Sequence, residues 1–372
     1  MARSLAETGR LRPHLLYTAA LWLRPDIAQH HLYLPGHYVA LALSFLVFGT
    51  KRAFAALLPN LVGYVVTALC AYLIARRLSA SRAAGLLAAG LWLGFPPVLL
   101  FACSAMAELT LCAAAAVCLA VFVYLPERRR VIGGALLVCL PFLFRDLAAF
   151  LVAPLCALCL GRPGGEARAA KLLGLTVLCT SLLFASPLCG PRITLVPGTL
   201  LDGSFAAIYN DASRQRMLAQ AAPPRYLRAC ADNLKKNVDQ LQKRLRAPDR
   251  SLRDEVKPQE LVPLCALLLI GPLLCGVGFA VRRVRWLCLG AGVLCLLVVA
   301  FDLLAYDLLR HRGLRLLLFT VPICAAALAT ALAPVLDRAW GPRLGAVIVC
   351  AALCLCSQRW LRLDFAEAHK TD

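Results

Sequence analysis

Long apolar runs separated by short arginine-rich breaks make up most of this chain. One apolar segment covers 54–75 and ends on Arg76-Arg77-Leu78. A second begins at Ala83-Ala84-Gly85 and breaks at Phe95-Pro96-Pro97. A third starts beside a lone acid, Glu108. Crossing a bilayer as a helix takes roughly 20 predominantly apolar residues. On that measure spans are expected near 53–75, 84–102, 106–124, 131–144, 147–160, 171–188, 261–281, 286–306, 314–333 and 344–356. The fold class is therefore all-α: a polytopic transmembrane helical protein of about 10 spans. Two apolar runs are too short to cross. Residues 15–23 lack the length, and Arg24 and Asp26 stand where a signal peptide would carry a small-residue cleavage site. Residues 36–49 read as a helix lying at, or dipping into, the interface.

The polar breaks set the topology. Arg76, Arg77 and Arg82 form one basic loop, and Arg128-Arg129-Arg130 a second. Arg162, Arg168 and Lys171 form a third, Arg282, Arg283 and Arg285 a fourth, and Arg338 with Arg343 a weaker fifth. If every span crosses once, all five fall on one side, which the positive-inside rule makes the cytoplasm. That parity requires residues 131–160 to be a hairpin of two short helices turning at Arg145-Asp146, rather than one long helix. It also leaves 190–260 outside, with an amphipathic helix at 225–245. There Leu227, Cys230, Leu234, Val238, Leu241 and Leu245 recur at helical spacing. Its ordinary role would be a lid packed over the membrane domain, and its sharper one a surface touching anionic headgroups or a substrate. The chain divides into an outer-face juxtamembrane segment (1–52), a transmembrane module (53–189), an extracytoplasmic loop (190–260) and C-terminal transmembrane helices (261–372).

Composition agrees with this reading. The 372 residues are 61% hydrophobic, against about 45–50% apolar for a soluble domain. A formal net charge of +20 would suggest nucleic acid in a soluble protein. Here the cations cluster between apolar segments, so they report orientation rather than a nucleic-acid partner. Most of the 18 cysteines sit inside apolar segments, where Cys behaves as a small hydrophobe. Cys156 and Cys159 lack a partner pair for zinc, and Cys103 and Cys189 are the one pair placed for a bridge near one face.

Candidate chemistry gathers on the outer side. His30, His31, Tyr33 and His37 come from the first loop, and Glu108 from the start of a span. Arg145 and Asp146 come from the hairpin turn, and Asp302, Tyr306, Asp307, Arg310, His311, Arg312 and Arg315 from a late span and its loop. A charge at mid-bilayer costs roughly 2.5–3.5 kcal/mol even on the mild insertion scale. Glu108 is then either a solvated first-turn acid or one kept for a purpose. Arg310, His311 and Arg312 make a compact cation cluster suited to a lipid phosphate, or to snorkelling onto ordinary headgroups. Arg145-Asp146 is either a self-neutralising helix terminator or part of a phosphate or sugar site. The histidines lack a fourth ligand at zinc spacing, so no metal is expected. No phosphate loop, dinucleotide glycine motif or nucleophile elbow is present, so no cofactor is expected either.

These residues carry a resemblance. The run Tyr33-x-Pro35-Gly36-His37, the stretch ending Phe48-Gly49, Asn60 and Tyr72-x-x-Ala75-Arg76-Arg77-Leu78 resemble the core of GT-C membrane glycosyltransferases. So do Ala83-Ala84-Gly85-Leu86-Leu87-Ala88-Ala89, the Pro96-Pro97 break, Ala107-Glu108, and Gly133-Gly134 through Phe144-Arg145 and Pro154. The branch resembled holds the protein O-mannosyltransferases and the lipid A aminoarabinose transferase. It implies a multi-pass protein of the bacterial inner membrane, a polyprenyl-phosphate-linked sugar as donor, and a lipid, glycan or protein acceptor. The candidate substrate contacts are His37, Glu108, Arg145, Arg310, His311 and Arg312, of which the resemblance, running from Tyr33 to about Leu160, covers the first three. Family members carry a first transmembrane helix, then an Asp or Asp-Glu pair. This chain opens at Met1-Ala2-Arg3-Ser4, so the resemblance implies a start just past the usual catalytic acid, with Asp26 as the nearby substitute. The rival reading is a transporter or lipid-linked sugar flippase. It would need mid-bilayer polar groups and paired repeats, and few of the first and none of the second are found.

Overall fold

The computed structural model describes residues 35–49, 53–102, 107–185, 258–305 and 317–368, with Ala231, Leu234, Lys235, Val238 and Asp239 between them. The described residues are helical, and no strand occurs among them. Twelve helices follow in order: α1 Pro35–Phe48, α2 Ala53–Ser79, α3 Arg82–Leu93, α4 Pro96–Ala102, α5 Glu108–Tyr124 and α6 Glu127–Phe142. After them come α7 Val152–Leu160, α8 Gly165–Ala185, α9 Pro258–Ala280, α10 Arg285–Ala305, α11 Val321–Arg338 and α12 Trp340–Ala368. By length and composition, Phe54–Ser79 and Leu318–Arg338 suffice to cross a membrane, and shorter apolar helices include Glu108–Tyr124, Leu147–Leu160 and Arg285–Ala300.

Local chemistry explains the breaks. Ala80 sits at φ 61 just past α2, the left-handed position that ends a helix. Ser81 then caps α3, its hydroxyl accepting from the Ala84 amide at 3.1 Å. The expected span at 84–102 is two helices. Gly94 closes α3 by donating its amide to Gly90 O at 2.8 Å, and Pro96-Pro97 can only begin a new helix. Tyr64 holds that junction to α2: its hydroxyl donates to Leu93 O at 2.8 Å, and Trp92 Nε1 donates to Tyr64 O at 2.9 Å.

The hairpin at 131–160 is present. α6 stops at Phe142, Arg145 is extended (φ −161), and a 3-10 turn, Asp146–Leu151, starts the return into α7. The return is complete. Arg162 beyond α7 pairs with Glu127 at the start of α6, which an unbroken helix would hold roughly 50 Å apart at 1.5 Å per residue. Several expected boundaries move, and α2 runs on to Ser79, past Arg76 and Arg77. α6 begins at Glu127 and α8 at Gly165, so Arg128–Arg130, Arg168 and Lys171 lie on helices rather than in loops. An acid in each first turn, Glu127 and Glu166, favours those earlier starts. α12 likewise runs on past 356.

All five basic breaks gather at one end of the bundle. Arg77 lies 5.4 Å from the Tyr124 ring centroid, and Arg130 Nε donates to Leu125 O at 2.9 Å. Arg162 reaches Glu127, and Gly161 backs onto the Trp286 ring beside the fourth cluster. Ser81 donates to Asp337 Oδ1 at 2.7 Å, joining the first cluster to the fifth. The helix α1 stays at the opposite end. Ser44 donates to Ala55 O, and Phe48 packs edge-on against Phe54, so α1 lies against only the first part of α2. At 14 residues it is roughly 21 Å long, too short to reach the basic end.

Candidate functional site

At the end opposite the arginine clusters, three segments distant in sequence meet around the start of α5. The first is the N-terminus of α1. Gly36 donates its amide to Leu143 O at 2.9 Å. A Cβ on Gly36 would stand 2.9 Å from both Leu143 O and Phe144 Cδ2. Only glycine lets the chain lie this close to the hairpin turn. That seat delivers His37, which is buried, to the first turn of α5. There its Nδ1 lies 3.2 Å from Thr110 Oγ1.

The bond favours a proton on Nδ1 of His37. The Thr110 hydroxyl donates to Ala107 O at 2.8 Å. Its oxygen therefore accepts from His37, and the proton sits on Nδ1. In the neutral ring Nε2 is then the basic nitrogen. This direction is assigned from the hydrogen-bond pattern.

Glu108 is the first residue of α5 and only 1% exposed. A solvated first-turn acid, the ordinary expectation, is thereby ruled out. α2 packs against the same turn. Gly63 sits so close that a Cβ there would be 2.7 Å from Leu109 O, which brings the α2 backbone against the first turn of α5. Glu108 Oε1 faces Arg145 Nη1 at 3.9 Å, and the arginine side chain is 27% exposed. The pair is a Coulombic contact longer than a hydrogen bond. It leaves the guanidinium partly open while the carboxylate is enclosed. A buried anion is costly to separate from a cation beside it. Nearby, Asn60 Nδ2 donates to Phe101 O at 3.2 Å, tying α2 to the end of α4.

The 161-residue stretch 30–190 matches the family model described as dolichyl-phosphate-mannose-protein mannosyltransferase. That match, over 161 of the 372 residues, supports membership of the GT-C superfamily of membrane glycosyltransferases. No curated protein matches it significantly. The matched stretch contains His37, Glu108 and Arg145, which the structure brings to the start of α5. Asp26 precedes the matched stretch, and Arg310, His311 and Arg312 follow it; all four lie outside the described residues. So do His30, His31, Tyr33, Tyr306, Asp307, Arg315 and the Cys103 and Cys189 pair. Most of the amphipathic helix at 225–245 does too, although Leu234 and Val238 are described, helical and exposed. Sequence reasoning missed Thr110. Its one signal was a hydroxyl two residues past the lone acid, at the head of an apolar helix.

Proposed function

We propose that this GT-C protein transfers a sugar from a polyprenyl-phosphate carrier to an acceptor hydroxyl at the extracytoplasmic face of a bacterial inner membrane. The observation that carries the reading is a buried carboxylate, Glu108, facing the partly open Arg145 at 3.9 Å, with His37 on Thr110 in the same turn of α5, at the end of the bundle away from every arginine cluster. Positive-inside orientation makes that end the outer one. Arg145 binds the carrier phosphate, with Glu108 orienting its guanidinium. Arg310, His311 and Arg312 add cations for the same phosphate, and His37 contacts the sugar or the acceptor.

In the reaction, the acceptor oxygen bonds to the anomeric carbon as the bond from that carbon to the phosphate oxygen breaks. The hydroxyl proton passes to a base, for which Asp26 is the candidate. The carrier leaves as a phosphate monoester, its developing charge met by arginine donors. General-base help of this kind is worth about 10²–10⁴-fold. The test is consumption of lipid-linked sugar by the full chain in membranes. Arg145→Gln and Glu108→Gln should each lower turnover, Arg145→Gln through donor affinity as well. Unchanged turnover in both variants, with the proteins folded, would remove them from the site. Unchanged turnover in Asp26→Asn would remove Asp26 as the base.

A further inference from the structure

At the opposite, arginine-rich end, α6 and α8 enclose an open cavity of about 910 Å³, lined by Glu127, Arg128, Val131, Ile132, Arg168, Lys171 and Leu175. Its charge is uneven. Three cations face one acid, and that acid is occupied: Glu127 pairs with Arg162 through Oε1 and lies 3.7 Å from Arg168 through Oε2. Arg128 and Lys171 make no ion pair among the described residues and are exposed.

The walls distinguish the kinds of anion. On α8, Arg168, Lys171, Leu175, Leu178 and Leu182 follow one another at three- and four-residue spacing, so they lie along one stripe. On α6, Arg128, Ile132, Leu136 and Leu140 do the same. Both stripes are cationic at the cavity and apolar beyond it. Most of their apolar members point out of the protein: Ile132 is 62% exposed, Leu136 59% and Leu182 62%, while Leu175, at the cavity, is half-buried against the core. A soluble anion would need the cations and gain nothing from the stripes. A phospholipid uses both, with its phosphate among the cations and its acyl chains along the leucines.

The geometry points to this cavity as a binding site for one anionic phospholipid of the arginine-side leaflet. Its headgroup phosphate lies between Arg128 of α6 and Lys171 of α8, and its chains cover the two exposed apolar stripes. The lipid would thereby join the return hairpin of the GT-C stretch to α8. The site stands apart from the catalytic reading, about 24 Å along α5 from Glu108 at 1.5 Å per residue.

The test uses the full chain, purified and placed in nanodiscs of phosphatidylcholine with or without phosphatidylglycerol. Retained lipid is counted by native mass spectrometry and Tm is read in parallel. Wild type should keep one phosphatidylglycerol in preference to phosphatidylcholine and gain Tm from it. Arg128→Gln/Lys171→Gln should lower that retention roughly thirtyfold, from two cations at about 1 kcal/mol each, and lose the Tm gain. Arg128→Lys/Lys171→Arg keeps both charges and should restore retention. Arg76→Gln/Arg77→Gln, which removes two cations outside the cavity, should leave retention as it was. An equal loss there means diffuse attraction to a basic surface and overturns the site. Displacement of the lipid by millimolar inorganic phosphate, with the same Tm gain from phosphate alone, means a soluble anion and overturns it too. If the glutamine variant does not fold, equal retention of the two lipids by wild type would refute the proposal by itself.

Discussion

The two ends of the bundle each hold an acid beside arginine, in opposite surroundings. At the α1 end Glu108 is enclosed and faces the Arg145 guanidinium at 3.9 Å. At the arginine-rich end Glu127 is exposed and shared between Arg162 and Arg168. The chemistry of the pairs is alike, and burial separates their consequences. An enclosed carboxylate that loses its cation has no water to replace it. An exposed one does, and its pairing is screened. The first kind suits a site where a charge must be held in place for a substrate. The second suits a face that meets headgroups.

The largest expected effect comes from breaking the enclosed pair. Arg145→Ala should destabilise the protein by about 3–5 kcal/mol, because Glu108 stays buried and loses the Arg145 charge beside it. Thermal unfolding in detergent measures it. Adding Glu108→Gln to that variant should recover most of the loss, since no buried charge then remains. A double variant as unstable as Arg145→Ala would show that the ion pair is not what stabilises this end.

Next is the contact of α2 with the first turn of α5, which keeps solvent from Glu108 if α2 is what seals it. Gly63→Ala places a Cβ 2.7 Å from Leu109 O and 2.9 Å from its carbonyl carbon. Backbone cannot move aside cheaply, so a loss of about 1–3 kcal/mol is expected. Solvent should also reach the first turn of α5, read as faster hydrogen exchange around Thr110. Wild-type stability and exchange would mean that α2 does not seal Glu108.

A smaller effect follows from Thr110→Val, which removes the oxygen accepting from His37 Nδ1. About 1 kcal/mol should be lost, and the His37 tautomer preference should weaken in nitrogen NMR. An unchanged tautomer would assign its control to another contact.

The smallest effect lies at the exposed pair. The hydrogen bond from Arg162, and then its charge, hold the Glu127 carboxyl below its usual 4.5. A carboxyl lowered in the folded chain contributes stability above its unfolded value, and that contribution disappears as pH falls through the lower folded one. Glu127→Gln should therefore match wild-type Tm in strong acid and fall slightly below it near neutrality. A gap that widened as pH fell would reverse that assignment.

Part of the site was legible in the sequence, because some signals are local. A lone acid at the head of an apolar run marks Glu108 whatever surrounds it. The Arg145-Asp146 turn follows from the short apolar halves on either side and from the need to keep arginines on one face. Pro35-Gly36 signals a tight approach without naming its partner. His37 and Thr110 are 73 residues apart, and no spacing rule joins them. Nor does the sequence say that Glu108 is enclosed, since a first-turn acid is ordinarily hydrated. The cations of 128–130 and 168–171 read as loops because charge interrupts an apolar pattern. Whether a charged stretch continues the helix depends on what lies beside it.

What the sequence alone determined is the all-helical class, the breaks between helices and the gathering of arginines on one side. Apolar length, proline, glycine and charge clusters act on their own neighbourhood, so they can be read in order. Only the tertiary structure decided which buried groups meet and where a charged turn becomes the wall of a cavity. Those outcomes depend on how closely two backbones approach, and that distance is set by packing between residues far apart in the chain.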